Sequence, residues 1–140
     1  MILFCDTSAL LKLFVQEEHT DAMQASAAAA DALAVSRLAW PECMSALARR
    51  AREAPRDASA LAQTRQAFAA RWPDFVVVEV DQPLVELAGD YAEAFALRAY
   101  DSVQLAALQT LRLQSGEEVR FACFDSRLAK AAAVLGVAGA

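Results

Sequence analysis

The chain has little of what most enzyme chemistry is built from. Its one histidine, His19, lies in the acidic stretch EEHT and reads as a surface or helix-start residue, so imidazole-based relays and triads have no support. Three cysteines, Cys5, Cys43 and Cys123, form no CxxC pair and are too few and too scattered for a zinc centre; they read as reduced, packed thiols. With only four glycines and four prolines the chain has neither GxxxxGK[ST] nor GxGxxG, which leaves out the common phosphate loops and also collagen-like or disordered chains. No apolar run approaches the roughly 20 residues of a spanning helix. Nothing basic precedes MILFC and an acid follows at Asp6, so neither a signal peptide nor a membrane anchor is expected, and the location implied is cytoplasmic. Positive charge is the minority sign, at a net −5. That counts against a broad phosphate-binding surface, although Arg49, Arg50, Arg52 and Arg56 fall close together and Arg65 and Arg71 follow.

What is present is apolar residue content, 57% of 140 residues and much of it alanine, enough for the core of one domain spanning 1–140. Short apolar runs at 2–5 and 33–36, the valine-rich 75–80, and VRFACF at 119–124 read as strands. Helical patterns separate them: ALLKLFV after Asp6, 19–30, a helix opened by Trp40-Pro41-Glu42 that stops near Pro55, and one from Asp57 to near Trp72-Pro73. Three more follow: one marked by Leu84, Leu87, Ala88, Tyr91 and Phe95, one from Asp101 to Leu113, and one from Asp125 to near Gly136. Strands alternating with helices predict an α/β fold of three layers, with a mainly parallel central sheet of four to five strands flanked by helices.

Four acids stand out against this pattern. In a parallel sheet, ligands bind beyond the carboxyl ends of the strands. Asp6 and Asp125 follow the strands 2–5 and 119–124, Glu42 opens the helix after strand 33–36, and Asp101 opens the helix that must run back to feed strand 119–124. All four are therefore expected at one edge. Each Asp alone is equally a helix N-cap, and Asp101-Ser-Val-Gln104 fits a capping box. Taken together, carboxylates sharing a cleft repel and raise one another's pKa, and a hard divalent cation relieves this. Ser8 reads either as a hydroxyl partner for the site or as a capping side chain. Trp40 reads as a core or base-stacking residue and Lys12 as solvated.

The segments DTSALLKLF, ECMSALARR, LRAYDSVQLAAL and DSRLAKA, in this order and spacing, resemble those of PIN-domain nucleases, in particular the VapC toxins of bacterial toxin–antitoxin pairs. The resemblance runs over nearly the whole chain. It implies a metal-dependent endoribonuclease using Mg²⁺, or Mn²⁺, with Asp6 and Asp101 as direct ligands and Glu42 binding directly or through water. Asp125 would complete the cluster or place a second ion, and Ser8 matches a Ser/Thr two residues after the first acid. It also implies a homodimer held inactive by a VapB-like antitoxin with a basic tail. There are departures: Cys123 stands where Thr or Ser is usual, Gln104 where His is common, and the closing GVAGA is short beside relatives with one more strand.

The chemistry expected is hydrolysis of an RNA phosphodiester by a water that the cation activates, leaving a 5′-phosphate and a 3′-hydroxyl. A rival reading is a PIN-like module that binds RNA or antitoxin without cutting. A receiver-like phosphoacceptor is disfavoured, because Thr-Ser rather than a second acid follows Asp6, and Asp125 rather than a lysine directly follows the last strand.

Overall fold

Continuous apolar sequence with no polar alternation produces a strand buried on both faces. Ile2–Cys5 forms such a strand, β1, with all four residues buried. In the computed structural model, which describes residues 1–140, β1 pairs in parallel with β2 (Ala32–Ser36) on one side and β4 (Val119–Ala122) on the other. β3 (Val76–Val78) pairs in parallel with β2, so the sheet order is β3-β2-β1-β4 and every pairing is parallel.

Alternate β1 side chains enter opposite cores. Ile2 and Phe4 join α5 (Gln82–Phe95), α6 (Ala99–Ser115) and α7 (Ser126–Val134) on one face. Leu3 and Cys5 join α1 (Thr7–Leu11), α2 (Thr20–Ala29), α3 (Ala39–Glu53) and α4 (Ala58–Arg71) on the other. The result is the expected three-layer arrangement of helices, sheet and helices. The Phe4 and Phe121 rings, 6.0 Å apart, tie β1 to β4 within the first core. Trp40 belongs to the second, against Phe68 and Trp72 at 5.5 and 5.1 Å, which selects its packing role over base stacking.

Several element bounds differ from the sequence-based expectation. The valine-rich 75–80 supplies only three paired residues, because β3 is an edge strand whose single neighbour, β2, ends at Ser36. The chain leaves β4 at Ala122, so Cys123 and Phe124 form a link between strand and Asp125. α1 ends at Leu11 and continues as turns rather than helix. α6 begins at Ala99, two residues ahead of Asp101, and ends at Gly116, whose φ of +67° suits a residue without Cβ. GVAGA adds a single parallel bridge, Gly139 to Phe121, in place of a full fifth strand.

Candidate active site

The strand order reverses at β1: the chain builds outward through β2 and β3, then returns to place β4 on β1's other side. Such a switch point opens a crevice at the carboxyl edge, because the two connections leave in opposite directions. Asp6, Glu42, Asp101 and Asp125 all line one cleft there, of about 820 Å³. The structure thus brings together all four acids, and Ser8 with them.

Asp6 follows β1 directly and is only 6% exposed. Its Oδ1 accepts from the Ala9 N–H at 2.8 Å, capping α1, and from the Ser8 hydroxyl at 3.0 Å. Ser8 therefore serves the acid rather than capping the helix itself. Burial raises the Asp6 carboxyl above the ordinary carboxylate range, and nearby Asp101 adds to this against the lowering by its hydrogen bonds. Asp125 is exposed; its Oδ1 caps α7 through the Leu128 N–H at 2.8 Å.

Asp101 is not an N-cap. With α6 starting at Ala99, it sits in the first turn and forms no hydrogen bond to the backbone there. Gln104 does not close a capping box either. It is 3% exposed, and its Nε2 donates to Thr7 Oγ1 at 3.1 Å and to Glu42 Oε1 at 3.3 Å. Its own Oε1 is buried without a partner. Burial raises the Asp101 carboxyl, with Asp125 adding and Arg98 and Arg127 opposing. Burial likewise raises Glu42, against hydrogen bonds from Thr7 and Gln104, and Asp101 and Asp6 push it further.

None of the four acids forms an ion pair, although seven ion pairs exist elsewhere. Asp6, buried, and Glu42 and Asp101, half-buried, have no ion-pair partner and lie among other acids, which leaves an electrostatic need for a cation. The donors are hard oxygens, suited to a divalent ion that keeps several waters. As placed, no three acids converge tightly enough to form an all-protein metal cage. The fit is therefore to a partly hydrated ion held by a few carboxylates.

Basic side chains share the cleft: Arg49, Arg50 and Arg98 also line it, and Arg98 is near enough to Asp101 to oppose its shift. Glu17, which sequence reasoning missed, accepts from Arg50 at 2.6 Å and from Lys12 at 3.1 Å. Burial would raise the Glu17 carboxyl, but Arg50 and Lys12 outweigh it and hold it low. Lys12 is accordingly not solvated; its side chain is 12% exposed. Thr7 and Gln104 were also missed as partners of Glu42. The one signal for Gln104 was its spacing, one helical turn after Asp101 and on the same face.

An acidic cleft at the switch point of a parallel sheet, with basic side chains sharing it, defines a domain suited to a cation and a polyanion. The PIN domain family matches residues 3–134. Ribonuclease VapC45 of Mycobacterium tuberculosis is 35% identical over 106 residues, 76% of this chain and 74% of that protein. Ribonuclease VapC46 of the same species is 32% identical over 136 residues, 97% and 94% of the two chains. A toxin–antitoxin complex from Klebsiella pneumoniae contains a chain of the same fold, with a TM-score of 0.63 and 21% identity over 90% of this chain and 88% of that one. The chain belongs to the PIN-domain family, in its VapC ribonuclease branch.

Proposed function

We propose that the protein is a VapC-type toxin, an endoribonuclease that hydrolyses RNA phosphodiester bonds in the acidic cleft with a divalent cation, Mg²⁺ or alternatively Mn²⁺. The observation carrying this reading is the meeting of four unpaired carboxylates, from four separate segments, in one cleft. Asp6 and Asp101 would hold the cation directly, Glu42 directly or through water, and Asp125 would complete the set or place a second ion. When bound, the cation lowers the pKa of water and offsets charge on the nonbridging phosphate oxygens.

The protein's own contribution is placement. Ser8 and the Ala9 N–H fix one Asp6 oxygen. Gln104 steadies Glu42 and links α6 to α3 and α1. Arg49, Arg50 and Arg98 offer charge to the flanking phosphates, and Glu17 keeps Arg50 from swinging into the acids. A cognate VapB-like antitoxin with a basic segment would neutralise the same acids, and a homodimer is the assembly we propose.

End-mapping of cleaved RNA tests the reaction. The expected products carry a 5′-phosphate and a 3′-hydroxyl, and Asp6→Asn or Asp101→Asn yields none. A cyclic 2′,3′-phosphate would rule the mechanism out. The lack of a tight three-acid cage favours one second reading, a cleft that binds RNA or a basic peptide without cutting. RNA left intact by the purified protein across a Mg²⁺ and Mn²⁺ titration would select that reading.

A further inference from the structure

Among seven Phe, two Trp and two Tyr, only Tyr100 and Phe124 are exposed, at 64% and 43%. Leaving a large ring in water forgoes burial that the other aromatics obtain. Both exceptions directly precede a site acid: Tyr100 before Asp101, Phe124 before Asp125. Tyr100 itself lines the cleft, and Phe124 lines a smaller pocket of its own with residues of α2 and α7.

The surroundings of Phe124 are built rather than incidental. His19 stacks on it with ring centroids 4.9 Å apart and planes 11° from parallel. His19 has a φ of +68°, a left-handed conformation that costs a residue with a Cβ, and it gives α2 no side-chain cap. Its side chain is half exposed, so solvent reaches it. The Lys12 ammonium lies 5.0 Å from the Phe124 centroid and is held by Glu17 at the cleft. Exposed aromatic platforms recur where single-stranded nucleic acid is bound, since every base offers a π-face.

The geometry points to a bracket of two base-stacking positions around the acids: the Phe124–His19 pair takes a nucleobase on one side of the scissile phosphate, and Tyr100 takes one on the other. This rests on the ribonuclease reading and adds to it which residues of this chain would hold the bases flanking the cut. His19, Phe124 and Tyr100 are positioning residues for the strand.

The test measures binding by fluorescence anisotropy, with a labelled 12-nucleotide oligoadenylate and with a 12-unit ribose-phosphate chain lacking bases. Tyr100→Leu and the double variant His19→Ala/Phe124→Leu should each weaken oligoadenylate binding by roughly tenfold and leave the base-free chain unaffected. Tyr100→Trp should restore or tighten it, a rescue that a merely structural role would not give. Equal losses on both probes, or no loss on either while RNA is still bound and cut, would overturn the bracket and leave the ribonuclease reading standing. A wild-type protein that neither binds nor cleaves RNA would overturn both.

Discussion

Asp6→Asn should make the protein more stable when no divalent cation is present and less stable than wild type when one is. Asn keeps the shape of the side chain and an oxygen to accept from Ser8 and the Ala9 N–H, which now bond Asp6 Oδ1 at 3.0 and 2.8 Å. As N-caps, Asp and Asn are nearly equivalent. What the change removes is a negative charge on a group 6% exposed, without a basic partner and repelled by Asp101. Because burial outweighs the hydrogen bonds and raises the folded carboxyl, folding disfavours the ionised form relative to the unfolded chain. The relief should be about 1 kcal/mol, the low end for an uncompensated buried polar group. For 140 residues this raises Tm by roughly 3 °C.

Saturating Mg²⁺ reverses the order. At a concentration a hundred times Kd, a ligand that binds only the folded state stabilises by about 2.7 kcal/mol, so wild type should gain roughly 9 °C and the variant almost nothing. Thermal melts of both proteins in chelator and in excess Mg²⁺, at pH 7, supply the comparison. If Asp6→Asn melts below wild type in chelator, or shows the same shift on adding Mg²⁺, then Asp6 is a capping residue whose charge the fold tolerates without a cation.

The same carboxyls set a pH dependence. Asp6, Glu42 and Asp101 have raised folded pKa values, so between the unfolded and folded values the native state binds more protons and stability falls as pH rises. In chelator, the Tm advantage of Asp6→Asn over wild type should be near zero at about pH 4 and widen towards pH 7; a gap that narrows over that range would reverse the sign assigned to burial. Gln104→Leu removes the bonds to Thr7 and Glu42 together with a buried oxygen that has no partner, so stability should change by under about 1 kcal/mol. Cleavage by Gln104→Leu should nevertheless drop about tenfold or more, as when the orienting partner of a ligand is lost, and an unchanged turnover number would separate Gln104 from the site. Gly136→Ala places a Cβ at a φ of +83° and 3.5 Å from the Arg112 guanidinium, and should lower stability by about 1 kcal/mol in a denaturant melt.

Much of this was legible because strands buried on both faces advertise themselves. ILFC reads as a central strand, and an acid directly after such a strand lies at the carboxyl edge. The same logic misjudged FVVVEV: valine content reports β-propensity, whereas strand length depends on how far a neighbour extends, and β2 stops at Ser36. Lys12 and Glu17 were illegible for a related reason. Their pairing depends on a turn after Leu11 that cuts the helix short, and nothing in KLFVQEE marks that turn. The Gln104–Glu42–Thr7 network joins three elements distant in sequence, which local spacing cannot express.

Capping and a catalytic site looked like competing explanations of the same acids, and the geometry shows that they are compatible. Asp6 and Asp125 each commit one oxygen, Oδ1, to a helix N-terminus, and that bond fixes the carboxylate's direction into the cleft. A cap is thus the means by which a strand end aims an acid. Asp101 is the exception that separates the two roles. It sits within the first turn of α6 and caps nothing, yet it lines the cleft and is pushed up by burial and by Asp125. Helix formation gives no reason for an acid to be there beyond a favourable dipole, worth a few tenths of a kcal/mol on an exposed turn. Among the four, it is the one whose position helix capping leaves unexplained.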